Sequence, residues 1–339
     1  VKLSKIIISR TDKIGDVILT LPMTGIIKEH YPDCKIFFLG EAYTKSIVES
    51  CEYVDEFINW SELKKKNQNE QVTEIKKLNA DALIHVFPNK EVASLAKKAN
   101  IPLRIGTGHR LYHLTKCNKL LFFSRKNSDL HESQLNLKLL KPIGINQILS
   151  KEDLSGYYGF TKMPSLKNEY KQFLDNNKIN LILHPKSKGS AREWGLSNFG
   201  KLIELLPREK YHILISGTLD DRTELREFID TYSGSVTDIT GKMNLEQFIA
   251  FIKNSDALVA ASTGPLHIAS ASGITAIGIF PPIRPMHPGR WGPIGRNAHY
   301  LVLNKECSKC RKTLDCECIR SVKPEEVVRK LEENFPEDG

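Results

Sequence analysis

Short apolar bursts recur along this chain with helix-length stretches between them, and that alternation restricts it to a parallel α/β sheet more firmly than any other feature does. In the first half the series runs KIIIS, then the amphipathic DVILTLPMTGIIKEHY, then KIFFLG, SIVESC, the polar SELKKKNQNEQ, DALIHVFP, the helical KEVASLAKKANI and LRIG. From about Lys138 to Tyr170 the pattern dissolves into glycine, proline and polar residues, the composition of a linker. A second series follows: INLILHP, SNFGKLIELLP, YHILISG, RTELREFID, LEQFIAFIKNS, DALVAA, GPLHIASASG and ITAIGIF. The expectation is two doubly wound domains, residues 1–165 and 166–339, with the last helix a candidate for packing back onto the first. The strand-end loops of both are expected to line a cleft between them.

At 339 residues, two cores are the natural outcome. A hydrophobic content of 40% with 26% charged residues is that of a globular protein, and no run of about 18 apolar residues offers a bilayer span. The opening VKLSKIIISRTDK meets charge too early for a secretory leader, which points to the cytosol. Net charge is +9, so an anionic partner is favoured: nucleic acid, a sugar nucleotide or an acidic membrane surface. The lysine run Lys64 to Lys66 reads as a solvated helix face.

Four stretches carry candidate chemistry. In SRTDKIGDVILTLP, Gly15 permits a tight strand-to-helix turn and Asp16 stands in the first turn of the helix, either as its cap or as a base facing the cleft. The loop HPKSKGSAREWG offers small residues, among them Ser190, and the cations Lys186, Lys188 and Arg192 to an anion; an ordinary basic surface loop is the competing account. In STGPLHIASASG, Ser262, Thr263 and Gly264 end a strand and open a helix with Pro265, the arrangement of a phosphate site, and His267 lies one turn in. In GTLDDRTEL, Asp221 suits either a ribose diol or a helix cap. A C-terminal group, Cys307, Cys310, Cys316 and Cys318, could enclose a structural zinc, although its second pair is only one residue apart. The segment RIGTGHRLYHLTK gathers Arg104, His109 and Arg110 in a basic loop. No GxGxxG, Walker A, GxSxG, HExxH or DxD sequence is present in a fitting context.

Taken in order, RTDKIGDVILTLP, HPKSKGSAREWG, STGPLHIASASG, the WGP after them and the cysteine-rich tail resemble the ADP-heptose:lipopolysaccharide heptosyltransferases, glycosyltransferase family 9. The resemblance implies a GT-B architecture and an inverting, metal-independent transfer with no cofactor. It puts the base on Asp16, donor contacts on Lys188, Ser190, Arg192, Asp221, Ser262, Thr263, Gly264 and His267, and no metal in the reaction. A nucleotide-sugar donor, ADP-heptose by the family name, and a lipid-linked saccharide acceptor met by Arg104, His109 and Arg110 are the implied partners, with no nucleic acid. The implied location is the cytoplasmic face of the inner membrane, with peripheral contact. Four positions depart from the family pattern: Ser262 stands for an aspartate, Arg192 for a lysine, Gly195 for a proline and Lys186 for a glycine. A related transferase using another nucleotide sugar or acceptor is the nearest alternative; a Rossmann-type oxidoreductase or a basic nucleic-acid module lies further off.

Overall fold

The structure, a computed structural model, describes residues 3–284, 286–305, 307 and 315–336. It divides into two units, Val1–Met163 and Pro164–Gly339. Unit 1 holds the strands β1 (Lys5–Ser9), β2 (Lys35–Gly40), β3 (Glu56–Asn59), β4 (Ala82–His85), β5 (Leu103–Thr107) and β6 (Lys119–Leu121). Unit 2 holds β7 (Ile179–His184), β8 (Tyr211–Ile215), β9 (Val236–Asp238), β10 (Ala257–Ala261), β11 (Thr275–Phe280) and β12 (Ala298–Val302). The first sheet runs β3-β2-β1-β4-β5-β6 and the second β12-β11-β10-β7-β8-β9, so each winds outward in both directions from its first strand. All pairings are parallel. The central strands are apolar along their whole length because helices cover both faces.

Sequence periodicity located the inner strands and missed β3, β6, β9 and β12. These four are largely half-buried and lie at the ends of the sheets; β3 and β9 lack an apolar burst, whereas β6 and β12 carry the runs LLFF and YLVL. The amphipathic stretch after β1 is two helices rather than one, Ile14–Ile18 and Leu21–His30. Pro22 explains the break, because its ring would clash with the Ile18 carbonyl four residues back. Lys64 to Lys66 lie between two short helices and pair with Glu41, Glu62 and Glu74.

Much of the linker-like stretch belongs to unit 1. Leu139, Leu140, Ile143, Leu154 and Phe160 are buried, and Phe160 bridges to Cys51. Gly159 is needed there: at φ +54°, a Cβ would lie 2.4 Å from the Tyr53 ring. In unit 2 the helix Pro324–Asn334 packs on the helix Leu196–Leu205, and the buried Trp194 donates its indole N–H to the Val322 carbonyl at 2.8 Å. No helix among the described residues is long and apolar enough to cross a membrane.

Candidate functional site

In each sheet the winding reverses between two neighbouring strands, β1 and β4 in unit 1, β7 and β10 in unit 2. The loops leaving those strands diverge to opposite faces and leave a crevice at their carboxyl ends. Every donor residue expected from the sequence except Asp221 follows β7 or β10 directly, and Asp16 follows β1.

Unit 1 places a buried guanidinium at its crevice. Arg10, 3% exposed, follows β1 and gives its backbone N–H to Leu39 O at 3.0 Å. Its Nε donates to Asp12 at 2.7 Å, one terminal nitrogen pairs closely with Asp16, and the other reaches Glu132 at 3.3 Å. Burial works against the Arg10 charge, but Asp12, Asp16 and Glu132 together outweigh it and raise its pKa. Arg125 braces Glu132 at 2.5 Å and Asn136 at 2.9 Å, and Asn136 in turn donates to Leu19 O and Thr20. Thr20 closes the circuit on the Asp16 carbonyl. Burial, opposed by Arg10 and reinforced by Asp16, pushes the Asp12 carboxyl up to about 6.

Asp16 does not cap its helix: Lys13 holds the cap position and no side chain accepts from the helix amides. Its carboxylate is 19% exposed, with one oxygen on Arg10 and the other without a partner among the described residues. A carboxylate so held is oriented and still reachable by a substrate hydroxyl. Asn89 links the loops after β4 and β1 through Thr11 at 3.2 Å. His85, at the end of β4 opposite Ser9, is buried with neither ring nitrogen paired, and burial lowers its pKa to about 3, so the ring is neutral. Arg10, Glu132, Arg125 and Asn136 were not singled out in the sequence. The one local signal was an arginine immediately after an apolar strand.

In unit 2 the loop after β7 turns through Lys188 (φ +47°) and Gly189 (φ +73°). Glu193 organises it, accepting from Ser187 N at 2.9 Å and Ser187 Oγ at 3.2 Å. Ser190 donates to Ser187 O at 2.7 Å. Two cations of the loop are paired within the fold, Lys186 with Glu193 and Glu224, and Lys188, half exposed, with Asp220 at 2.8 Å. Arg192 is buried, at 6% exposed. After β10, Ser262 and Thr263 lead into the helix Gly264–Ser272, which ends at Gly273 (φ +82°). Thr263 sits at the helix cap with its Oγ1 buried and unpartnered among the described residues. A hydroxyl beside the amides that open a helix has the donors that an anion would need. His267 is buried one turn further on.

Against this geometry, the sequence profile of glycosyltransferase family 9 (heptosyltransferase) matches residues 71–319. The chain belongs to glycosyltransferase family 9. Lipooligosaccharide heptosyltransferase 2 of Campylobacter jejuni is 25% identical, covering 96% of this chain and 98% of the relative. A solved family 9 glycosyltransferase from Veillonella parvula superposes with a TM-score of 0.79 at 20% identity, covering 100% of this chain and 99% of that one. The ADP-heptose lipopolysaccharide heptosyltransferase II of Escherichia coli superposes with a TM-score of 0.76 at 15% identity, covering 98% of each. The fold is therefore GT-B, built from two Rossmann-like domains, and the chain is a glycosyltransferase.

Within this family 9 chain, other expected contacts have structural duties. The Asp221 carboxylate takes the Thr218 N–H and hydroxyl, each at 2.8 Å, in a capping box, so the helix-cap account describes it directly. Arg104 is pinned to the carbonyls of Lys116 at 2.8 Å and Ile101 at 2.5 Å. His109 contacts the Phe123 carbonyl at 3.0 Å, and Arg110 is exposed. Cys316 and Cys318 join the apolar core of unit 2, with Cys307 against it. Cys310 lies outside the described residues, and among those residues no group of three or more His, Cys, Asp or Glu is placed to hold a metal.

Proposed function

We propose that this chain transfers a heptose from ADP-heptose to a lipopolysaccharide core acceptor, with inversion at the anomeric carbon and without a divalent metal, using Asp16 as general base. The observation that carries the reading is the Asp16 carboxylate at the β1–β4 crevice, one oxygen fixed by Arg10 and the other bare. A base must reach the attacking hydroxyl within about 3 Å, and a pre-oriented, partly exposed carboxylate meets that need. The acceptor oxygen attacks the anomeric carbon as Asp16 removes its proton, and the nucleoside diphosphate leaves from the opposite face.

Unit 2 supplies the leaving-group side. Charge accumulates on the diphosphate as the glycosidic bond breaks, and each well-placed donor is worth about 3 kcal/mol against that charge. Thr263 Oγ1, the opening amides of Gly264–Ser272 and Arg192 are the candidate donors, with Ser190, Ser262 and His267 completing the cradle. Lys188 contributes on exchanging Asp220 for phosphate. Heptose as the sugar is supported by the C. jejuni heptosyltransferase, and ADP-heptose as its donor by the E. coli ADP-heptose heptosyltransferase. Unit 1 takes the acceptor and unit 2 the donor, and the enzyme works in the cytoplasm, where the lipid-linked acceptor faces the inner membrane.

Incubation with a panel of ADP-sugars and a deacylated core acceptor, followed by mass spectrometry, tests the reaction. Product anomeric configuration by NMR tests inversion, and full turnover in EDTA tests metal independence. Asp16→Asn is expected to lower turnover about 1,000-fold with ADP affinity unchanged. Turnover within tenfold of wild type would remove Asp16 as the base.

A further inference from the structure

The carboxyl end of the first sheet presents two aromatic rings that the core of unit 1 does not bury. Among its described residues, unit 1 exposes three large aromatic side chains: Tyr43 at 53%, Phe87 at 37%, and Phe122. Phe122 follows the outer strand β6, but Tyr43 and Phe87 follow β2 and β4, the two strands that flank β1. Apolar side chains exposed singly are ordinary on a protein surface. These two stand on either side of the loop that holds Asp16.

Both rings rise from fixed backbone. After β4, the Ser9 carbonyl accepts the N–H groups of Val86 at 3.1 Å and Phe87 at 3.3 Å. Arg125 holds the Val86 carbonyl at 3.3 Å, Pro88 locks the next φ, and Asn89 reaches Thr11 on the β1 loop at 3.2 Å. After β2, the Glu41 carbonyl accepts the Thr44 N–H at 2.9 Å and closes the turn Ala42–Thr44 that carries Tyr43. The Tyr43 hydroxyl donates to the Asp12 carbonyl at 2.7 Å, which lays its ring along the β1 loop. Burial, and after it the charges of Asp12, Glu41 and Asp16, raises the pKa of that phenol, so the ring lies within the field of the Asp16 carboxylate.

Neighbouring strands are about 4.8 Å apart, so the loops after β2 and β4 leave the sheet about 10 Å from one another with the Asp16 loop between them. Aromatic walls around a single carboxylate suit a sugar. A pyranose carries C–H groups on its faces and hydroxyls around its edge. Its C–H hydrogens are weakly positive and an aromatic face is negative, so a sugar face settles on a ring while the edge stays free for polar groups. We propose that Phe87 and Tyr43 clasp the acceptor sugar by its C–H faces and turn one edge hydroxyl toward Asp16. The clasp selects a pyranose with an open C–H face over an acceptor of equal charge that lacks one. The inference rests on Asp16 as the base and adds the side chains that orient the acceptor to it.

Kinetics with a deacylated core acceptor varied at saturating ADP-heptose test the contact. Phe87→Ala is expected to raise the acceptor KM about tenfold with ADP affinity unchanged by calorimetry, and Phe87→Trp to stay within about threefold of wild type. Tyr43→Phe keeps the ring and should hold the acceptor KM within about threefold, whereas Tyr43→Ala raises it. Saturation-transfer NMR with the same acceptor and no donor reads the contact without turnover: wild type passes signal to the sugar C–H protons, and the Phe87→Ala, Tyr43→Ala double variant does not. An acceptor KM in Phe87→Ala within about threefold of wild type overturns the proposal. So does wild type that passes no saturation to the sugar, or a Phe87→Trp variant as weak as Phe87→Ala, which marks a packing role for the loop. The reading of Asp16 fails separately, through an active Asp16→Asn enzyme in which the NMR contact is intact.

Discussion

Replacing Arg10 with methionine tests whether the cluster at the β1–β4 crevice is held by one buried cation. The side chain is 3% exposed and faces Asp12 at 17%, Asp16 at 19% and Glu132 at 1%. Without it, Asp12 and Asp16 lose the guanidinium they share, while Glu132 keeps its contact with Arg125. Removing one partner from a buried ion pair costs about 3–5 kcal/mol. For a unit of this size that is an unfolding midpoint lower by about 10 °C at neutral pH. The pH dependence sharpens the test. Because burial raises the Asp12 carboxyl from 3.8 to about 6, the folded protein binds that proton more tightly than the unfolded chain. Wild type therefore loses stability as pH rises from about 4 to about 6 and is level above, by at most about 3 kcal/mol. In Arg10→Met the loss continues above pH 6, since the acids have no countercharge, so the deficit is largest near pH 8 and closes toward pH 4. Thermal unfolding of both proteins from pH 4 to pH 8 reads this directly. A deficit that does not change with pH, or one below about 1 kcal/mol at pH 8, would refute the reasoning.

Arg192→Ala is expected to weaken ADP binding about tenfold or more by calorimetry, whereas Lys188→Ala, already neutralised by Asp220 and half exposed, should change it by less than about threefold. Equal effects would show that the loop acts as a diffuse basic patch. Thr263→Val keeps the shape and removes a buried hydroxyl that has no partner among the described residues, so the unfolding midpoint should hold or rise while the KM for donor increases. A lower midpoint with unchanged KM would mean the hydroxyl serves the fold.

Local pattern carried much of this molecule. KIIIS, INLILHP and DALVAA read as central strands because burial on both faces leaves an uninterrupted apolar run. The small-residue loop after β7 and the Ser-Thr-Gly-Pro turn after β10 were legible for a related reason, since tight turns and helix starts restrict residue type at adjacent positions. At the sheet ends β3 and β9 leave no apolar run because half-buried backbone imposes no such restriction, while β6 and β12 are marked by LLFF and YLVL. Pro22 is a local signal for the helix break after β1.

The sequence by itself determined two doubly wound domains, the position of Asp16 after the first strand and the helix start at Thr263. Each of these depends on residues a few places apart. Only the tertiary structure decided what each charge does. Arg10 meets Glu132 across 122 residues, Lys188 meets Asp220 across 32, and Asp221 turns to its own helix. Charge has no period along a chain, and its partner is set by strand order and by which groups the fold removes from water.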